Sequence, residues 1–309
     1  MGDSTTVGKS NPSDHPMVVA ICAFRVENVR KNLRHNLAQL SGDEYFVLLD
    51  KPMSAEAEQV ADEVRAAGGT MHILGATGGI SASRNRVFAR WPGHHVLFVD
   101  DDVRLDAAAV TAIRESLRGG AHMAGVRLRR PAWPLPWYLT SGQFHLVGWH
   151  RDRGEIKIWG ACMAVDTAFA HAHGLRFDLA LSRTGGNLQS GEDTTFISLM
   201  REAGGRERLL PDCSVVHDVD QNRLRLSYLL RRAYWQGRTE AGRNQVRAGF
   251  RKEWDRHRTA PESPFVWPLA CLYGAVTAAG IAHELLLRLR RRPARVYSQQ
   301  QQGRPRRWA

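Results

Sequence analysis

Val96 to Asp102 reads VLFVDDD, four apolar residues running straight into three carboxylates. An apolar run this short is a buried strand, and ligands in an open α/β sheet bind beyond the carboxyl ends of such strands. Three adjacent negative charges repel one another, so a chain that keeps them beside an apolar core needs something cationic to neutralise them. A hard divalent ion does so, because Mg²⁺ and Mn²⁺ take one or two carboxylates together with the oxygens of a substrate phosphate. A solvated turn leading into a helix whose amino end favours acids accounts for the same triplet, and on these residues alone both readings stand.

Working outward, the chain alternates apolar strands with amphipathic helices. Met17 to Phe24 reads as a strand, and Val26, Val29, Leu33, Leu37 and Leu40 then recur at helical spacing. Tyr45 to Asp50 is a second strand, Ala55 to Ala67 a helix, Thr70 to Leu74 a third strand, and Ile80 to Arg90 a helix entered through Gly78 and Gly79. His95 to Asp100 is the fourth strand; helix Ala107 to Leu117 and strand His122 to Val126 continue the rhythm of a sheet with covered faces. The rhythm then breaks at RRPAWPLPWY, Arg129 to Tyr138, whose prolines exclude a central strand. Its tryptophans either pack on the domain or form a platform for a sugar or aglycone. Ile156 to Val165 is predicted as a strand, Asp193 to Ala203 as a helix, Leu209 to His217 as a last strand and Leu224 to Ala248 as a long basic helix.

Two more acidic sites fall where elements change. Ser190-Gly191-Glu192-Asp193 has the spacing of a capping box with Asp in place of Glu or Gln, following the glycines 185 and 186. Capping needs only the serine and one acid; a carboxylate here also suits a general base that deprotonates an attacking hydroxyl. His217 closes the last strand beside Asp218 and Asp220, where an imidazole either completes a divalent-ion shell or is a satisfied surface histidine.

The 309 residues suffice for one large α/β domain with an appendage. Cys22, Cys162, Cys213 and Cys271 lack CxxC spacing and read as reduced core thiols of a cytosolic protein, and the polar first sixteen residues contain no secretory signal. The net charge of +12 is segregated: from Arg223 onward there are 19 Lys/Arg against 5 Asp/Glu, and before it 24 against 26. The basic carboxyl-terminal part therefore reads as an attachment surface, for anionic lipid headgroups or for nucleic acid. No GxGxxG follows a strand and no P-loop motif occurs, which disfavours dinucleotide oxidoreductases and P-loop enzymes.

Taken in order, VVAICAF, Asp50, GGISASRNR, VLFVDDDV, WGACMAV, GEDTTF and VVH resemble the family 2 glycosyltransferases of the GT-A fold, from Met17 to roughly Asn222. The resemblance implies a Rossmann-like mixed sheet with flanking helices and an inverting transfer of sugar from a nucleotide-diphosphate donor to a hydroxyl acceptor, on a lipid-linked or cell-surface glycan or a small-molecule natural product, with Mn²⁺ or Mg²⁺ as cofactor. It implies that Ala23, Phe24 and Arg25 cradle the nucleotide, that Asp50 contacts base or ribose, and that Arg84 and Asn85 line the diphosphate. Of the DxD-like triplet, Asp100 would face ribose and sugar, Asp101 is the middle residue on the nucleotide-sugar side, and Asp102 would bind the ion, with Asp100 and His217 as further ligands; the register is open by one. Glu192-Asp193 matches the ED pair, with Asp193 as the base.

The implied organisation is a disordered amino terminus over 1–16, a GT-A glycosyltransferase domain over 17–222, a basic helical extension over 223–262, an apolar or amphipathic helical segment over 263–292 and a disordered basic tail over 293–309. YLLRRAYWQGRTEAGR, Tyr228 to Arg243, resembles the post-catalytic helix of bacterial members acting on lipid-linked or cell-surface glycans. Phe265 to Ala282 carries no charge, with RKEWDRHR before it and RLRRRPAR after. It fits an interfacial segment, a span or a buried helix, and its equally basic flanks favour the interface. The expected setting is cytoplasmic, peripheral to an anionic membrane, with nucleic acid not expected as a partner. Two other classes remain open: a sugar-phosphate nucleotidyltransferase, which would need a glycine-rich, Arg-containing loop where AFRVEN stands, and a non-catalytic protein using its basic tail.

Overall fold

The computed structural model describes residues 16–75, 78–182, 187–243 and 266–290. Its sheet holds eight strands, β1 (Val18–Ala23), β2 (Glu44–Leu49), β3 (Thr70–Ile73), β4 (His95–Asp100), β5 (Val103–Arg104), β6 (Met123–Arg129), β7 (Cys162–Asp166) and β8 (Glu207–His217), in the order β3-β2-β1-β4-β7-β6-β8-β5. Strands β3, β2, β1 and β4 run parallel, because each is followed by a helix that carries the chain back to the start of the next. Strand β7 pairs antiparallel with both β4 and β6, so the sheet is mixed. The order reverses at the β1/β4 border, and there Ala23 and Asp100 end adjacent strands, opening the crevice that such a switch creates.

Residues 18–23 and 95–99 are buried on both faces, as expected of near-continuous apolar strands under two layers of helices. One face packs on α1 (Val26–Leu37), α2 (Ala55–Ala66) and α4 (Ala107–Arg118); Val110, Ile113 and Leu117 of α4 are buried at helical spacing, and Asp106 caps it by accepting from Ala109 N at 3.0 Å. The other face packs on α3 (Ile80–Arg90) and α7 (Glu192–Glu202) around Phe88, Phe98, Phe177 and Phe196. Two short helices, α5 (Phe144–Val147) and α6 (Thr167–Ala172), complete the domain.

The segment Ile156 to Val165, expected as one strand, is extended and irregular up to a bridge between Trp159 and Cys162, and only β7 is ladder-paired. A third apolar cluster joins Leu139, Phe144 and Trp149 to Leu229 and Ala233 of α8 (Leu226–Gly242) and to Leu269 and Tyr273 of α9 (Val266–Arg290). The proline-rich loop contributes Trp133, Leu135 and Tyr138 to this cluster and leaves Trp137 exposed, so one tryptophan packs and the other does not. Helix α8 is observed to Gly242; the remainder of the helix expected to Ala248 lies outside the described residues, as do the glycines 185 and 186, residues 1–15 and the basic tail. Cys22 and Cys162 are core thiols as expected, whereas Cys213 is half-buried and Cys271 sits on the exposed face of α9, because an apolar sequence run need not be an inward-facing one.

Candidate active site

Beyond β4 the chain makes a tight turn and β5 pairs antiparallel with the end of β8, Val103 opposite His217. That register brings Asp102 to a histidine 115 residues away: His217 Nε2 lies 3.0 Å from Asp102 Oδ1, and Asp218 N donates to Asp102 O at 2.7 Å. Asp100, Asp102 and His217 place one ligand atom each within 4.8 Å of one another. Two carboxylates and an imidazole are donors that Mn²⁺ or Mg²⁺ accepts. His217 Nδ1 meets Gly148 O at 2.9 Å, and with a proton held there Nε2 is the nitrogen that would bind an ion on giving up the proton it shares with Asp102. Gly148, at φ 89°, sits so close that an added Cβ would lie 2.7 Å from His217 Cε1. The residues present therefore fit the ion.

Burial alone would raise the Asp102 pKa, but His217, by charge and hydrogen bond, and then Arg223 hold it well below the usual carboxylate range. Burial opposes protonation of His217, and Asp102 outweighs it, so that pKa is raised. Asp101 turns the other way. Its carboxylate accepts from Phe24 N and Arg25 N, each at 2.8 Å, and from Asn28 Nδ2 at 3.0 Å. The middle aspartate thus shapes the turn after β1, with its pKa pushed up to about 6 by burial and by the Asp102 charge. The tight turn accounts for the split: Asp100 and Asp102 converge on His217 while Asp101 faces the turn after β1.

One cleft of about 860 Å³ is lined by Ala23, Phe24, Arg25, Asp50, Arg84, the three aspartates, Glu192, Asp193 and His217. Asp50, at the end of β2, accepts from Gly79 N at 2.9 Å and ties the glycine turn before α3 to the cleft. Arg25 Nη1 donates to Asp220 Oδ2 at 2.6 Å. Arg84 is 2 % exposed and links the two acidic motifs, with Nη1 3.1 Å from Glu192 Oε1, Nη2 3.4 Å from Asp100 Oδ1 and Nη2 2.9 Å from Gly160 O. Gly160 is glycine because any Cβ there would collide with the Arg84 guanidinium. Asp193 Oδ2 accepts from Gly160 N at 2.8 Å and its Oδ1 from Thr194 N at 2.6 Å and Thr194 Oγ1 at 3.2 Å, which aims the carboxylate and leaves Oδ2 the oxygen with a lone pair to spare.

Two sequence expectations need correcting. Asn85 does not line the cleft: Nδ2 donates to Phe177 O and Oδ1 accepts from Phe177 N, both at 2.9 Å, so its amide pins the segment ahead of α7. Ser190 does not cap α7. The N-cap is Gly191 at φ 107°, a left-handed turn that swings the Ser190 hydroxyl to Arg232 Nη2, 2.7 Å away. Unforeseen were Arg223, 3.6 Å from Asp102 Oδ2, Gly160, and the face of α8 formed by Tyr228, Arg232, Gln236 and Glu240, which lines the cleft. The signal was present as polar residues recurring every fourth position from Tyr228, unseen against the helix's general basicity.

No protein-family model matches the chain. In sequence it is similar to the succinoglycan biosynthesis protein ExoM of Rhizobium meliloti (strain 1021), 27 % identical over 266 residues that cover 82 % of this chain and 84 % of the relative. In fold it is similar to the mannosyltransferase PcManGT of Pyrobaculum calidifontis, solved with GDP-Man and Mn²⁺, at a TM-score of 0.54 and 14 % identity over 91 % of this chain and 83 % of that one. It is likewise similar to residues 1–349 of S. aureus TarS, solved with UDP, at a TM-score of 0.50 and 15 % identity over 89 % and 92 % of the two chains. The resemblance to bacterial GT-A glycosyltransferases is borne out, and the fold, a mixed α/β sheet with a carboxyl-terminal apolar helix, is the GT-A fold.

Proposed function

We propose that the protein is a metal-dependent, inverting glycosyltransferase of the family 2 type, moving a sugar from a nucleotide-diphosphate donor to a hydroxyl of a lipid-linked or cell-surface glycan. The observation that carries this reading is the meeting, in one cleft, of the Asp100, Asp102 and His217 group with the Glu192-Asp193 pair, buried Arg84 contacting Asp100, Glu192 and the Gly160 carbonyl while Asp193 accepts from Gly160 N. Asp100, Asp102 and His217 would hold Mn²⁺ or Mg²⁺, which supplies positive charge to a departing diphosphate. Ala23, Phe24 and Arg25, on the turn braced by Asp101, and Asp50 bind the nucleoside. Asp193 takes the proton of the acceptor hydroxyl as that oxygen attacks the anomeric carbon opposite the leaving group, which inverts the centre. Glu192 stays paired with Arg84 and orients it. The involvement of ExoM in succinoglycan biosynthesis supports a glycan product, and the nucleotide-sugar and nucleotide complexes of the two solved structures support the donor class.

We place the enzyme at the cytoplasmic surface of a membrane. Helix α9 is long and apolar enough to cross one, by length and composition, yet only 28 % of its apolar window is buried. Trp267, Leu272, Leu286 and Leu289 are exposed along it, followed by Arg288 and Arg290. Its tie to α8, which carries the ionic cleft wall, favours lying in the interface over spanning. The test is calorimetric titration of UDP and GDP, with and without Mn²⁺, followed by donor hydrolysis across a panel of UDP-, GDP- and dTDP-sugars. Mn²⁺-dependent binding of one nucleotide and slow release of its sugar are expected; binding of neither nucleotide would overturn the reading.

A further inference from the structure

Helix α8 presents two faces of different chemistry. Tyr234, Gly237 and Arg238 turn to α9, whereas Arg232, Gln236, Glu240 and Arg243 line the cleft at spacings of three and four residues. The helix runs along the cleft: Arg223, just before it, faces Asp102, and Arg232 reaches Ser190 in the turn that leads into Glu192 and Asp193. A Cβ at Gly191 would lie 3.2 Å from Thr239 Cγ2, so the same turn rests on the last part of the helix. The polar stripe therefore borders the proposed base and continues away from the cation group, by about 6 Å from Arg232 to Gln236 and about 6 Å more to Glu240.

Glu240 is the unusual member. It is 8 % exposed, and Gln236 Nε2 donates to its Oε1 at 2.7 Å, but its Oε2 is buried and has no hydrogen-bond partner among the described residues. A buried carboxylate oxygen without a donor is costly. That cost is recovered where a ligand in the cleft brings the donor. Sugar hydroxyls are such donors, and a carboxylate at this place repels an acceptor that is itself anionic there.

Building on the glycosyltransferase reading, we propose that this stripe is the acceptor subsite, in which Gln236 and Glu240 grip the hydroxyls of an uncharged glycosyl residue and present the acceptor to Asp193. Glu240 Oε2 accepts from one hydroxyl, and Gln236, held by Oε1, presents its amide to a neighbouring one. Selectivity is set at Glu240 itself, which takes a hydroxyl and refuses a carboxylate at its Oε2, although Arg232 and Arg243 flank the stripe.

The experiment uses the full chain saturated with Mn²⁺ and with UDP or GDP, and measures saturation-transfer NMR to methyl β-D-glucopyranoside, methyl β-D-galactopyranoside and methyl β-D-glucuronide. At least one neutral glycoside is expected to bind and the glucuronide not. Glu240→Ala and, separately, Gln236→Ala should weaken that binding by about tenfold, the loss of one charge-assisted hydrogen bond, with nucleotide affinity unchanged by calorimetry; if Glu240→Ala fails to fold, Gln236→Ala decides. Undiminished glycoside binding in the variants, preference for the glucuronide, or a wild type that binds nucleotide but no neutral glycoside would overturn the proposal. A wild type that binds neither UDP nor GDP removes the transferase reading beneath it, which is a distinguishable failure.

Discussion

At the scale of single residues, the acidic groups divide into three tasks that their contacts set apart. Asp100 and Asp102 converge on His217, Asp101 is consumed by backbone N–H groups, and Asp193 is aimed by Gly160 and Thr194. Accordingly, Asp193→Asn should lower sugar transfer by about 10²–10⁴-fold and spare nucleotide binding, whereas Asp102→Asn should also weaken Mn²⁺-dependent nucleotide binding; calorimetry beside an activity assay separates the two, and equal losses of binding would refute the division. His150 gives a pH prediction. Its Nδ1 accepts from Leu128 N at 2.8 Å, and its ring stacks on Trp159 with centroids 4.0 Å apart. Burial, and then the Arg127 charge, lower its pKa to about 4. The unfolded chain, with His near 6.5, binds the proton first as pH falls, so this contribution to stability is complete above about pH 6.5 and is lost progressively towards pH 4, up to about 3 kcal/mol. Urea unfolding across this range should show a steeper loss for wild type than for His150→Gln, since the carboxylates titrate alike in both.

At the scale of elements, the crossing of α8 and α9 holds the cleft wall in place. A Cβ at Gly237 would overlap the Thr277 carbonyl, and one at Gly280 the Tyr234 carbonyl, so the two backbones touch reciprocally. Arg238 pairs with Glu284 at 2.7 Å, Tyr234 meets His283, and Arg288 Nη2 donates to Gly242 O at 2.6 Å around that point. Helix propensity alone favours alanine over glycine by about 1 kcal/mol. Gly237→Ala is nonetheless expected to destabilise by about 1–3 kcal/mol, because the helices must part. Gly274→Ala, with open space at its Cβ, is the control and should be neutral or stabilising; urea midpoints compare them. The strands β1, β2 and β4 and helices α1 to α4 were legible in sequence to within a few residues, since buried runs and helical spacing are local properties. The stretch before β7 was not: its apolar residues suit a strand, but the chain joins β4 only from Cys162 and β6 only from Met163, and Gly160 is taken by Arg84.

At the scale of the molecule, charge and apolarity are segregated along the chain, with the basic excess of the sequence and the exposed face of α9 both in its carboxyl-terminal part. Replacing Leu272, Leu286 and Leu289 by Ser should reduce co-sedimentation with vesicles of mixed anionic and zwitterionic lipid, and raised salt should reduce it further; partitioning unchanged by the triple substitution would remove the membrane assignment. The strand–helix rhythm, the acids at strand ends and the segregation of charge are legible along the chain, because burial pattern and charge order are carried by neighbouring residues. Which acids meet is settled by folding alone. The β5–β8 register brings Asp102 to His217, Arg84 reaches an acid 108 residues away, and the packing of α8 turns a basic helix into a cleft wall with one carboxylate oxygen unpartnered among the described residues. Partners separated by a hundred residues are chosen by strand register and helix crossing, and neither is written in any local stretch of the chain.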